Sequence, residues 1–226
     1  MKRVNVEIWS DFACPWCWIA KRRLETAVLS LAGQIEVIVT SKSYRLAKGM
    51  APVDFQEALH QKFGNAAAAR RMMATVAESG AMEGLTYNFD SMRFGDTSDA
   101  HALVKSIGAP EDRQRIIERI YQAYTTDGID IFDREALVSL AKEMGLSETS
   151  LDFDSSQIAS EITRDELEAN RVANGVPLFV FNNKLHFSGA QEVAVFEKAL
   201  LEAAIDVPAP LDGVVGTSCS IDGCAI

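Results

Sequence analysis

The chain has 226 residues, 48% of them apolar and 24% charged, which suits one large domain or one domain with an insertion. A net charge of −10 leaves no broad basic groove for nucleic acid and no attraction to anionic membranes. No window approaches the roughly 18 apolar residues that a membrane span needs, and no apolar leader follows Met1-Lys2-Arg3, so a cytoplasmic location is expected. In a reducing compartment, the four cysteines are expected to be redox-active or catalytic rather than structural staples.

The run Val4-Asn5-Val6-Glu7-Ile8-Trp9, apolar and β-branched, predicts a strand. It leads into Ser10-Asp11-Phe12-Ala13-Cys14-Pro15-Trp16-Cys17-Trp18. Behind that stretch, Trp16, Ile19, Ala20, Leu24, Ala27, Val28 and Leu31 fall on one helical face. The Cys-x-x-Cys therefore sits at a strand-to-helix junction, with Pro15 suited to the first turn. A helix start offers unpaired N–H groups and the positive end of the helix dipole, and both stabilise a thiolate at Cys14. Cys17, one turn on, is within disulfide reach and more shielded, so the pair reads as nucleophile and resolving thiol.

Half a zinc site, completed by Cys219 and Cys224, and two inert core thiols are the alternatives. The preceding apolar strand, the Pro-Trp dipeptide and the lack of a second Cys-x-x-Cys weigh against zinc, and no metal is expected. Asp11 either tunes the thiol or is a solvated turn residue. Trp16 and Trp18 are candidates for a substrate surface, although Trp16 fits the helix core equally well. Lys21, Arg22 and Arg23 read as a solvated helix face that adds positive field near Cys14.

Gly33 ends this helix, and 35–40 is a second strand, parallel to the first by the rules of β–α–β connections. Asp54 then caps a helix carrying Phe55, Leu59 and Phe63, and Gly64 stops it. Asn65 caps another over 66–77, closed near Gly80. Met72, Met73, Met82 and Met92 in this region fill core space or serve peptide binding. Residues 84–96 read as irregular, anchored by Phe89, Met92 and Phe94. Helices are expected over 98–107, 110–124 and 133–144, and one near 158–173 has Glu161, Asp165, Glu166 and Glu168 on its wet side. Strands at 176–181 and 184–188 form a hairpin across Asn182-Asn183, followed by a helix over 191–204. From Asp206 the composition turns to Pro, Gly and Ser, which reads as a mobile tail carrying a Cys-x4-Cys, Cys219 to Cys224.

Without the stretch 50–155 the order is β-α-β…α-β-β-α, that of the thioredoxin fold. The expected architecture is α/β: a thioredoxin-like domain from 1–49 and 156–204, an all-helical insertion over 50–155, and a tail over 205–226.

Four stretches carry a family resemblance: Ile8 to Cys17 with Lys21-Arg22-Arg23-Leu24-Glu25, Asp96-Thr97-Ser98-Asp99-Ala100-His101, Gly175-Val176-Pro177-Leu178-Phe179, and Ser188-Gly189-Ala190-Gln191. Together they resemble the DsbA family of thioredoxin-fold proteins, and within it the FrnE-like oxidoreductases, relatives of 2-hydroxychromene-2-carboxylate isomerases and kappa-class glutathione transferases. The resemblance implies thiol–disulfide exchange with protein or peptide substrates, no organic cofactor, and glutathione as a small redox partner. It implies a cis-proline at Pro177 that turns the Val176 backbone toward Cys14 for pairing with an extended substrate. It also places His101 over the active site, against the alternative of a helix-face histidine held by local hydrogen bonds. C-terminal cysteine pairs occur in some FrnE-like proteins, which makes Cys219 and Cys224 candidates for a second redox pair relaying electrons to or from Cys14–Cys17.

In the isomerases and glutathione transferases the Cys14 position is typically serine and the second cysteine is absent. Both cysteines here favour disulfide chemistry over a glutathione-dependent isomerase or transferase. A zinc-buffering or chaperone-like thiol module is a third reading. The direction of exchange, and the choice between monomer and homodimer, stay open at this level.

Overall fold

Parallel pairing of the first two strands frames the molecule. In the computed structural model, which describes residues 2–205 and the backbone of two short strands beyond them, β1 (Lys2–Ser10) pairs with β2 (Ile35–Ser43) from Lys2↔Ile35 to Ser10↔Ser43. Between them runs α1 (Pro15–Ser30). The helical stretch then comprises β3 (Val53–Asp54), α2 (Phe55–Phe63), α3 (Ala66–Met82), β4 (Arg93–Phe94), α4 (Ser98–Ser106) and α5 (Pro110–Gln122). A π-helical turn, Ala123–Asp127, follows, and then α6 (Arg134–Glu143) and α7 (Ser156–Ala169). The chain returns to the sheet as β5 (Leu178–Phe181) and β6 (Leu185–Ser188) and ends this part in α8 (Val193–Ala203). The sheet order is β2-β1-β5-β6, with β5 antiparallel to β1 and to β6. The fold is the α/β thioredoxin fold with a helical insertion that the sequence predicts.

Alternation along β1 assigns its faces. Val4, Val6 and Ile8 are buried on the side of α1, and Trp9 points the other way, where its Nε1–H donates to Asp165 O on α7 at 2.7 Å. At the far end of the sheet Phe179 and Phe187 meet Phe196 of α8 edge-on, at 4.8 and 5.1 Å between ring centroids. In the insertion, the expected caps form: Asp54 accepts from the Glu57 N–H and Asn65 from the Ala68 N–H, each contributing about 1 kcal/mol. The stretch 84–96 does contain one regular feature, β4, which pairs antiparallel with β3. The stretch 206–217, part of the expected mobile tail, lies outside the described residues. Beyond it, β7 (Ser218–Ser220) and β8 (Gly223–Ala225) are antiparallel, with Cys219 opposite Cys224.

Three charged groups expected in water are in the interior. Arg23 is 3% exposed: it sits seven residues after Trp16, on the same stripe of α1, and bonds Glu83 Oε1 at 2.7 Å and Ala190 O at 2.9 Å. Asp165 and Glu166 lie on the inward stripe of α7 with Ile162 and Ala169. Asp165 accepts from the Ser43 N–H and from Lys105 Nζ, and Glu166 accepts a two-pronged pair from Arg45. These carboxylates are buried because their partners come from other elements.

Asp11 is another correction to the solvated reading: it has no exposed surface. Its Oδ1 accepts from the Ala13 N–H at 3.1 Å and the Thr97 hydroxyl at 2.7 Å, and its Oδ2 from the Leu46 N–H at 2.6 Å. One carboxyl thus joins the β1–α1 turn, the loop after β2 and the start of α4. Burial pushes its pKa up to about 6, against the pull of those three donors and with added repulsion from Asp96. The folded state therefore holds this proton more tightly than the unfolded chain, whose ordinary value is 3.8, and stability is lost as pH rises through the window between the two. In urea titrations from pH 4 to pH 7, the stability of the wild type relative to Asp11→Asn should fall by about 2 kcal/mol. A difference that stays flat, or rises with pH, would overturn this account.

Candidate active site

Cys14 is the N-cap of α1, with extended backbone at φ −92° and ψ 110°, and Pro15 follows as the first helical residue, where a missing N–H costs nothing. The Cys17 N–H closes the turn on Cys14 O at 3.1 Å. Both cysteines are free thiols. The Cys14 thiol donates to Val176 O at 3.8 Å, which brings the loop before β5 to the motif across 162 residues of sequence. The Val176–Pro177 bond is cis, and Pro177 O accepts from the Gly189 N–H at 2.8 Å. So Cys14, Cys17, Val176 and Pro177 converge at one place.

The site is closed in this conformation. Cys14 has no exposed surface and Cys17 is 2% exposed. Burial, and next the neighbouring Cys14, push the Cys17 thiol well above its ordinary range, which keeps it protonated at neutral pH. Three tyrosine hydroxyls lie around the motif, on the buried side chains of Tyr121 and Tyr124 and the half-buried one of Tyr87. Tyr87 donates to Pro15 O at 2.7 Å, Tyr121 to Asp11 O at 3.4 Å, and Tyr124 to Arg93 O. Burial first, then nearby negative charge, pushes all three phenols well up. They stay neutral, and Asp11 beside them ionises only above its raised value of about 6.

Trp16, Trp18 and His101 do not form a surface. Trp16 is a core residue of α1. Trp18 is sandwiched by stacking on Tyr121 at 6.2 Å, and its Nε1–H donates to Glu118 at 2.9 Å. Glu118 also receives Lys21 and Arg22, so this carboxylate from α5 clamps one flank of α1. His101 is 3% exposed, donates from Nε2 to Tyr44 O at 3.1 Å and packs on Phe12. Burial drives its pKa down to about 3, so it is a neutral packing group at physiological pH. Of Met72, Met73, Met82 and Met92, the first and last are core, whereas Met82 is exposed.

Two hollows flank the motif. A small apolar recess of about 30 Å³ lies beside Ala13 and Pro15, walled by Leu46, Phe55, Leu59 and Phe94. A cavity of about 520 Å³ separates α1 from α5 and has Cys17, Leu24, Val39 and Ile117 in its walls. Among the described residues no group of three or more His, Cys, Asp or Glu is placed to hold a metal ion. Glu118 and Tyr87 escaped the sequence reading because they meet the motif from a distant helix and from the irregular stretch, with no local pattern to mark them.

No curated protein matches the sequence. Among solved structures, a probable DsbA oxidoreductase from Streptomyces coelicolor is 31% identical, with 99% of both chains covered and a TM-score of 0.82. A cytosolic disulfide reductase, DsbM from Pseudomonas aeruginosa, determined with GSH, is 18% identical over 88% of this chain and 95% of that one, at a TM-score of 0.58. A 2-hydroxychromene-2-carboxylate isomerase is 13% identical over the same shares, 88% and 95%, at 0.65. The last two share the fold. Since the DSBA-like thioredoxin domain matches residues 5–201, from the strand before the cysteines to the last helix packed on them, the chain belongs to the DsbA-like thioredoxin family.

Proposed function

We propose that the protein exchanges disulfides with protein or peptide substrates through Cys14 and Cys17. The observation that carries this reading is the placement of Cys14 at the start of α1, facing Val176 O, with the Cys17 thiol one turn behind. In the reductive direction, the Cys14 thiolate attacks one sulfur of a substrate disulfide. A mixed disulfide forms and the other substrate thiolate leaves. Cys17 then loses its proton and attacks the Cys14 sulfur, which releases the second substrate thiolate and closes Cys14–Cys17. Two electrons pass from the enzyme dithiol to the substrate; oxidation of a substrate dithiol is the reverse. No organic cofactor takes part. The Val176 backbone and Pro177 border the nucleophile and would line an extended substrate.

Glutathione is the small thiol we assign to recycling the pair, a choice supported by the DsbM structure determined with GSH. A cytoplasmic setting accords with the cytosolic assignment of that protein. A glutathione-dependent isomerase on this fold would use one thiol-binding position, and the paired, stacked placement of two cysteines on α1 favours redox exchange instead.

Within the same reading, Cys219 and Cys224 form a second redox pair. Opposed residues of an antiparallel pair have Cα atoms about 4.5–5.5 Å apart, inside the ~4.4–6.8 Å that a disulfide spans. Cys219 and Cys224 are so opposed. Their disulfide would take two electrons from reduced Cys14–Cys17, or return them.

The expected results are these. Cys14→Ser loses disulfide reduction to the uncatalysed background, whereas Cys17→Ser accumulates mixed disulfides that mass spectrometry maps to Cys14. Isomerase activity that survives Cys17→Ser without mixed disulfides would replace this reading with the glutathione-dependent one. After poising at graded glutathione ratios, oxidation of Cys219–Cys224 should track that of Cys14–Cys17, and deletion of residues 217–226 should slow turnover. If the tail pair stays reduced while Cys14–Cys17 is oxidised, and the deletion leaves turnover unchanged, the relay is discarded.

A further inference from the structure

The cavity between α1 and α5 has no part in the exchange just described. At about 520 Å³ it falls within the roughly 300–1,000 Å³ of small-molecule sites, whereas packed interiors leave few voids larger than a water molecule. Ile8 and Val39 form its floor on the sheet, Leu24 and Val28 wall it from α1, and Ile117 walls it from α5. It runs along α1 from Cys17 to Leu29, which is about 18 Å at ~1.5 Å per residue. Leu29 is 74% exposed, so the apolar wall continues out to an open mouth. Polar groups are few. Ser10 and Ser41 bring hydroxyls from the sheet, and Ser41 Oγ accepts from Gln114 Nε2 at 3.2 Å. Cys17 and Tyr121 stand at the inner end, both held protonated by burial. At the rim Lys21 and Arg22 are matched by Glu25 and Glu118 in mutual ion pairs, which leaves no net charge for an ion.

A largely apolar space with a few convergent polar groups, two of them with perturbed titration, has the make-up of a ligand site. We propose that this chamber binds an uncharged, largely apolar small molecule bearing a hydroxyl or carbonyl oxygen, and that its occupant lies against Cys17 and slows the resolving step of exchange. The apolar body would rest on Leu24, Val39 and Ile117, and the oxygen would bond the Ser10 or Ser41 hydroxyl. An ionised ligand would give up its water without meeting a free counter-charge, which selects the uncharged class. The link to catalysis is desolvation. Cys17 has to lose its proton before it attacks the Cys14 sulfur, and an occupant keeps water from the chamber side of that thiol, which disfavours the thiolate. The mixed disulfide on Cys14 then lives longer. This link rests on the exchange chemistry proposed above, whereas the site itself does not.

Nile red, an uncharged dye with a ring carbonyl that fluoresces in apolar surroundings, is the probe, titrated into the full chain. One saturable site per chain is expected, weakened about tenfold or more by Val39→Phe, whose ring takes up space on the chamber floor. Val28→Phe intrudes from α1 and should do the same, so a folding defect in one variant leaves the other to decide. Leu201→Ser removes an exposed leucine of α8 and should leave the titration unchanged. Naphthol should displace the dye at concentrations about tenfold below those of naphthoate, its anionic counterpart. In quenched reactions with a model disulfide, saturating naphthol should lengthen the life of the Cys14 mixed disulfide about three- to tenfold, as Val39→Phe should without it. Dye binding that does not saturate, that survives both phenylalanine variants, or that is lost in Leu201→Ser overturns the site. Equal displacement by naphthol and naphthoate overturns the ligand class, and an unchanged lifetime overturns the link to Cys17. If no mixed disulfide forms on Cys14, the exchange reading fails, and the dye titration still decides the site.

Discussion

The Asp11 carboxyl is the contact on which the site's geometry depends. It receives donors from Ala13, Leu46 and Thr97, three segments that meet only in the folded chain, and its backbone carbonyl receives the Cys14 N–H at 3.2 Å. Burying a carboxylate without partners is prohibitive, so three donors are the condition for placing it there. Once placed, it gives the turn before Cys14 a single shape and locks the helical insertion onto the thioredoxin-like sheet at the redox motif. The same group couples that junction to pH, because burial outweighs the donors and holds its proton more tightly than water does.

Around this junction the protein uses neutral donors rather than cations. Tyr87, Tyr121 and Tyr124 present hydroxyls to backbone carbonyls, and His101 is held neutral by burial. Lys21 and Arg22 of α1 are drawn to Glu118 on the flank of that helix. The start of α1, with Cys14 as its N-cap, turns the amide end of the helix dipole toward this junction. The result is a site whose electrostatics depend on backbone geometry, and hence on whatever holds the first turn of α1 in place.

Ion pairs do the complementary work of joining elements. Arg23 links α1 to Glu83 at the end of α3 and to the loop before α8, while Arg45 and Lys105 reach Glu166 and Asp165 on α7. Each pair is largely desolvated, so its net contribution to stability is small, whereas removal of one partner leaves a buried charge unmatched and costs about 3–5 kcal/mol. Such pairs select one docking arrangement of the helices over its neighbours.

Much of this was legible in the chain itself. Apolar alternation in Val4-Asn5-Val6-Glu7-Ile8, the helical stripe after Cys14, and caps such as Asp54 and Asn65 are short-range signals, because strand pleat, helix period and capping all act within a few residues. They sufficed for the order of the long helices and of the four strands of the main sheet, for the strand-to-helix placement of Cys14 and Cys17, and for the thioredoxin-like frame, but not for β3 and β4. Burial of polar groups was not legible. Asp11, Arg23, Asp165, Glu166 and His101 each look like residues for water, and Tyr87 sits in a stretch with no periodic pattern at all. Whether a polar side chain is inside depends on partners tens of residues away, and only the tertiary structure brings Leu46, Thr97, Lys105 and the π turn to the places where those groups can be satisfied.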